Sequence, residues 1–140
     1  MVLVDSSVWI AAARREGSLE AKVGLKGLLD VYEAALCSPV FLEVMGGAFK
    51  HERKEMSALF SVLPYLRVKE ADYVAAVRNN WKLRDAGITA PANDVLIATI
   101  AQRMMCRVYA QDKHFTAMAP VLGITLYEPG YGGSFRQDGG

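Results

Sequence analysis

Val2-Leu3-Val4-Asp5-Ser6-Ser7-Val8-Trp9 runs through three apolar residues, one acid, two hydroxyl residues and a second apolar stretch. Three apolar residues bounded by an acid are too few for a helix and read as a strand buried on both faces. Ser6 and Ser7 supply N-cap chemistry, so a helix should run from Val8 to Ala13. The same order recurs late in the chain. Arg107-Val108-Tyr109-Ala110 is a strand candidate, Asp112 stands just past its end, and a short helix is expected around Phe115 to Met118.

Between these two units the pattern alternates. Leu19 to Tyr32 has helical spacing after Gly17-Ser18, Ala35-Leu36-Cys37 reads as a strand, and Ser38-Pro39 caps and starts a helix from Val40 to about Phe49. Arg53 to Leu63 is a further helix stopped by Pro64, and Tyr65 to Val68 a third strand. Ala71 to Asp85 is a long helix with Val74, Val77 and Trp81 on one face, ended by Gly87. Val95 to Ala101 is an apolar helix expected to be buried, and Ile124-Thr125-Leu126 a last strand. Strands alternating with helices imply an α/β fold with a parallel sheet covered on both faces. Residues 1–128 are expected to form one domain. Residues 129–140, with five of the twelve glycines, are expected to be a mobile tail.

The 140 residues suit one core, and 52% apolar against 22% charged residues is an ordinary globular balance. No apolar stretch approaches the ~20 residues of a spanning helix, so no membrane partner is expected. The N-terminal stretch lacks the basic region of a signal peptide. Cys37 and Cys106 sit in apolar surroundings and read as free thiols of a reducing cytoplasm. With His51 and His114 they show no zinc-ligand spacing. A net charge of +1 argues against a broad electrostatic coat for nucleic acid.

Four acids stand out by position. Asp5 and Asp112 follow strands, Glu43 lies among Leu42, Val44 and Met45, and Asp94 opens the apolar helix. Right-handed crossovers would set the first and fourth strands side by side, and sites in open α/β sheets form outside the carboxyl ends of strands where their order reverses. All four acids then fall on the rim of one crevice. Clustered carboxylates do not all ionise unless something positive sits among them. A hard divalent cation such as Mg²⁺ or Mn²⁺ is the usual solution, and it suits phosphodiester hydrolysis. Each acid also has a plain structural reading, Asp5 and Asp112 as helix caps and Asp94 as a first-turn acid favoured by the helix dipole.

Val4-Asp5-Ser6-Ser7-Val8-Trp9, Ser38-Pro39-Val40-Phe41-Leu42-Glu43, Asn93-Asp94-Val95-Leu96-Ile97-Ala98 and Asp112-Lys113-His114-Phe115, in this order, resemble the four signature segments of PIN-domain proteins, above all VapC-type ribonuclease toxins. The resemblance implies a three-layer α/β/α domain with a central five-stranded parallel sheet. It implies a Mg²⁺- or Mn²⁺-dependent endoribonuclease whose catalytic and metal-binding acids are Asp5, Glu43, Asp94 and Asp112. It implies that Ser7 helps order the carboxylates, and that the partners are an RNA substrate, a small cognate antitoxin and a second copy of the chain. The family often carries Thr or Ser two residues before the last acid, where this chain has Ala110. That departure is the sequence support for an alternative, a PIN-fold module that binds RNA or protein without cleaving.

Other signals carry less. An aspartyl-nucleophile phosphatase typically has a second Asp where Ser7 stands, and Gly24-Leu25-Lys26-Gly27 matches a KH-type GxxG but lies in a helical stretch. Arg14 and Arg15, a turn or two beyond Asp5, are candidate RNA-phosphate contacts beside the plain reading of a solvated surface. With four of the 15 acids committed to one metal site, 16 basic side chains stand against 11 acidic ones. The near-neutral total is therefore compatible with an anionic pocket in a moderately basic surface.

Overall fold

The structure is a computed structural model that describes residues 1–137. Its elements are β1 (Val2–Val4), α1 (Ser6–Ala13), α2 (Leu19–Asp30), β2 (Ala34–Cys37), α3 (Ser38–Gly46), α4 (Arg53–Phe60), β3 (Tyr65–Leu66), α5 (Glu70–Asp85), α6 (Ala92–Met104), β4 (Arg107–Tyr109) and α7 (Lys113–Leu122). The strands form one parallel sheet in the order β3-β2-β1-β4. The chain thus steps outward from β1 and later returns to its other side, so the reversal of strand order lies between β1 and β4. Val2, Leu3 and Val4 are fully buried, as a central strand covered on both faces requires. Trp9 packs edge-on against Phe60 at 4.9 Å and donates its indole N–H to Val4 O, which locks α1 over the end of β1.

Several expectations need correction. The sheet has four strands. The expected fifth is reduced to a single bridge between Leu126 and Val108. Gly123, at φ +69, ends the preceding helix, and Pro129, which has no N–H, follows three residues after the bridge, so there is little room for a ladder. β3 stops at Leu66 because the backbone N–H of Val68 turns to Ser38 Oγ at 2.9 Å. α7 runs from Lys113 to Leu122, well beyond the expected turn, with Pro120 tolerated in its final turn.

α5 turns its apolar stripe outward. Val74, Val77 and Trp81 are 53%, 49% and 61% exposed, with Tyr73 beside them, while Asp72, Asn79 and Leu83 are buried. The contact with α6 is made by polar pairs. Asn79 Nδ2 donates to Thr99 Oγ1 and Gln102 Oε1, and Arg103 grips both oxygens of Asp72 at 2.7 and 3.0 Å.

Of the C-terminal segment, the residues up to 137 are described, and Phe135 and Arg136 contact the domain. Phe135 stacks on Tyr127, the Arg107 guanidinium lies 4.9 Å over the Tyr127 ring, and Arg107 also donates to Arg136 O. This return bears on the Gly24-Gly27 pair in α2. A Cβ on Gly27 would collide with Gly133 O, and one on Gly24 would collide with the Tyr109 hydroxyl of β4 and come within 3.0 Å of Pro129 Cγ. Residues 138–140 of the expected tail lie outside the described residues. No described helix is long and apolar enough to cross a membrane. Cys37 and Cys106 are free thiols, and burial pushes the Cys37 thiol up to about 12.

Candidate metal centre

The site lies at the carboxyl ends of β1 and β4, joined there by a 2.8 Å bond from the Asp5 N–H to Tyr109 O. Asp5, and not Ser6 or Ser7, is the N-cap of α1. Its Oδ2 accepts from the Ser7 hydroxyl at 2.6 Å and the Ser7 N–H at 3.1 Å. Its Oδ1 is buried and has no hydrogen-bond partner. Burial raises the Asp5 carboxyl above its usual value, as does the Asp112 charge, against the lowering effect of the Ser7 and Ser6 hydrogen bonds.

Asp112 caps α7 in the same manner, accepting the His114 N–H at 2.9 Å. Burial acts to raise its carboxyl, but the backbone and imidazole of His114 outweigh that and hold it below the usual range. The expectation that Asp5 and Asp112 are either caps or site residues was too exclusive. Capping with one oxygen is how each carboxylate is aimed.

Asp94 stands in the first turn of α6, 8% exposed. Burial, then the charges of Asp5 and Asp112, push it up to about 6, with Glu43 adding to the rise and His114 opposing it. Glu43 reaches in from α3. Its Oε2 accepts the Ser6 hydroxyl at 2.9 Å and its Oε1 accepts the Asn93 amide N–H. Of the apolar neighbours that single Glu43 out in the sequence, Leu42 is 72% exposed, while Val44 is buried and Met45 half-buried.

The structure therefore brings all four expected acids into one electrostatic group and adds three residues that were not assigned. Ser6 and Asn93 fix the two oxygens of Glu43; each is the immediate chain neighbour of a site acid, which was the available signal. His114 had been set aside for want of ligand spacing. Its Nδ1 lies 2.8 Å from Asp112 Oδ1 and 3.3 Å from Asp94 Oδ2. Asp94, Asp112 and His114 each offer a donor atom within 4.8 Å of the others. Ser7 does more than hold Asp5. Its Oγ also accepts the Gln111 N–H at 3.0 Å, so it tethers the loop before Asp112 that Ala110 cannot brace. Arg14 and Arg15 are both exposed; Arg14 also lines a small cavity of about 120 Å³ that Glu43 borders.

The residues fit a divalent cation. Asp5 and Asp94 are buried and held above their usual ionisation, the charge of Asp112 acting on both, and a buried Asp5 oxygen lacks any donor among the described residues. Both are deficits that a positive ion with oxygen ligands removes.

Comparison with known proteins agrees with this geometry. The PIN domain family model matches residues 2–120. Ribonuclease VapC11 of Mycobacterium tuberculosis is 33% identical over 129 residues, covering 89% of this chain and 96% of the relative. Among solved structures, VapBC2 from Rickettsia felis bound to a promoter DNA fragment superposes with a TM-score of 0.73 at 16% identity, covering 91% and 98% of the two chains. A toxin–antitoxin complex from Klebsiella pneumoniae gives 0.65 at 19% identity, covering 82% and 90%. With a family match along most of its length and its acids gathered at the β1–β4 switch point, the chain belongs to the PIN domain family.

Proposed function

We propose that the chain is a divalent-metal-dependent endoribonuclease acting as the toxin of a toxin–antitoxin pair. The observation that carries the metal reading is the group of carboxylates around buried Asp5 and Asp94, with Asp94 pushed up to about 6 and Asp5 Oδ1 left without a partner among the described residues. The ribonuclease reading draws on the 33%-identical relative named VapC11, and the antitoxin partner on the toxin–antitoxin complexes among the structural neighbours.

Asp5, Asp94 and Asp112 would hold Mg²⁺ or Mn²⁺. Such an ion, when bound, polarises a phosphoryl oxygen and acidifies water. Ser7 keeps the Asp5 carboxylate aimed while tethering the loop that carries Asp112. Glu43, with both oxygens fixed by Ser6 and Asn93, is placed to orient the attacking water or to ligate the ion. Arg14 is the better placed of the two arginines to meet an RNA phosphate, since it shares a cavity with Glu43. The tether from Ser7 to Gln111 weakens the non-cleaving alternative, whose support was the missing hydroxyl at Ala110. The two free thiols suit the cytoplasm.

Incubating the pure protein with structured RNAs tests the reading. Fragments are expected with Mg²⁺ or Mn²⁺ and none after chelation; cleavage indifferent to chelator would overturn it.

The homodimer reading is supported by the uncovered stripe Tyr73, Val74, Val77 and Trp81 on α5. If a second copy covers it, Trp81→Ala with Val77→Glu should weaken self-association by at least about 30-fold, the scale of a lost aromatic hot spot. Sedimentation velocity across a concentration series reads this, and an unchanged dimer would remove α5 from the interface.

A further inference from the structure

We propose that His114 Nδ1 is itself a ligand of the ion, so that the centre has a mixed nitrogen–oxygen donor set and prefers Mn²⁺ to Mg²⁺. The inference rests on the metal reading above and deepens it.

Local structure explains how the ring arrives there. Asp112 caps α7 by accepting the His114 N–H, which fixes His114 in the first helical turn and brings its side chain back over the cap. Nδ1 then sits 2.8 Å from Asp112 Oδ1 and 3.3 Å from Asp94 Oδ2. Nδ1 is buried, and neither oxygen stands in line with it as a directed hydrogen bond requires. An imidazolium serving as a mere counter-charge would turn its N–H into one of the two oxygens that close by. A lone pair converging with two carboxylates is instead the arrangement around a shared cation.

The spacing agrees. The three donor atoms lie within 4.8 Å of one another. Adjacent ligands of an octahedral ion bound at ~2.1 Å stand ~3.0 Å apart, close to the 2.8 and 3.3 Å that separate Nδ1 from the two carboxylate oxygens. A second, independent sign comes from another strand. Asp5 Oδ1, on a residue 2% exposed, is also without a donor, and the charge of Asp5 is felt at Asp94.

Donor chemistry gives the consequence. Mg²⁺ favours oxygen ligands and keeps its waters, whereas imidazole is a ligand of first-row transition ions. Mn²⁺ accepts both donor types, so one imidazole among carboxylates tilts the site toward it.

The test uses the full chain and the metals alone. Mn²⁺ is titrated by calorimetry, Mg²⁺ by competition, and the bound Mn²⁺ is examined by pulsed electron paramagnetic resonance for coupling to a ligated ¹⁴N. Expected are one such coupling in the natural chain and its loss in His114→Leu. Mn²⁺ affinity should fall ~10-fold or more, by analogy with other losses around metal sites, while Mg²⁺ affinity changes far less. His114→Asp, which restores an oxygen donor, should recover Mn²⁺ binding without the nitrogen coupling and narrow the preference over Mg²⁺. His114 is 35% exposed, so both variants should fold, and circular dichroism checks that they do. Mn²⁺ that binds, is lost in Asp94→Asn, but shows no ¹⁴N coupling would overturn the ligand assignment and leave the metal reading standing. No Mn²⁺ binding by the natural chain would overturn both.

Discussion

Asp94→Asn is expected to lower RNA cleavage by at least about 10²–10³-fold, the scale on which single electrostatic contacts to a transition state act, while raising the unfolding temperature of the metal-free protein. The two effects share one cause. The Asp94 carboxylate is buried first, and then surrounded by Asp5 and Asp112, which together push it from 3.8 up to about 6. A carboxyl that holds its proton more tightly when folded works against the folded state as the pH rises. Stability is therefore lost between about pH 4 and pH 6 and stays lost at pH 7. A shift of this size corresponds to about 3 kcal/mol at most. With the side chain 12% exposed and solvent near the crevice, about 1–2 kcal/mol is the figure to expect. Asparagine keeps the shape and removes the charge. Thermal unfolding with chelator should thus favour the variant by several degrees at pH 7 and by little at pH 4. Adding Mn²⁺ should stabilise the natural chain and not the variant, which reverses the order. A variant that is less stable than the natural chain at pH 7 without metal would mean that Asp94 serves the helix start and not an ion.

That conflict between ionisation and burial is also why the site could be read in part from sequence. Asp5 follows β1 directly and Asp112 follows β4 within three residues, and residues in those positions emerge at the carboxyl edge of a parallel sheet. Asp94 precedes Val95-Leu96-Ile97, so the helix that buries those residues carries the acid into the crevice with them. The apolar neighbours of Glu43 are a weak signal, since Leu42 is exposed and only Val44 is buried. His114 escaped because its approach to Asp112 depends on cap geometry, which puts a residue two positions away within 2.8 Å of the cap. Sequence spacing between His and Cys could not report that.

The misread elements have a common origin. Apolar periodicity assigns the burial of a helix on the assumption that its buried face is apolar. On α5 the neighbour is α6, and the contact runs through Asn79, Thr99, Gln102, Asp72 and Arg103, so the apolar stripe is left on the outside. The described part of the C-terminal segment also makes contacts that local pattern does not report: Gly133 approaches Gly27 of α2 so closely that a side chain on Gly27 would collide with it. In both places the deciding contact is with a residue distant in the chain, and local pattern cannot see it.

Arg103→Ala should be the most destabilising single change at the α5–α6 contact, at about 3 kcal/mol, because it leaves a buried carboxylate without its cation. Asp72 is 2% exposed and receives both forks of the guanidinium, which also bonds Arg67 O. Burial by itself would raise the Asp72 carboxyl; Arg103 and the Lys69 N–H outweigh it and hold the carboxyl below its usual value. A lowered value means that the pair's contribution is present above about pH 4 and fades as the pH falls through the folded value. The gap between variant and natural chain in urea unfolding should accordingly be widest at pH 7 and shrink toward pH 3. Arg103→Met combined with Asp72→Leu, which removes both charges and keeps the volume, should recover most of the loss. Arg103 and Asp94 are nine residues apart on α6, or ~13 Å at 1.5 Å per residue. Mn²⁺ affinity measured well below the unfolding transition should therefore stay within about threefold of the natural chain. A large loss of metal affinity would instead show that the Arg103–Asp72 clamp sets the position of α6, and through it the depth to which Asp94 enters the crevice.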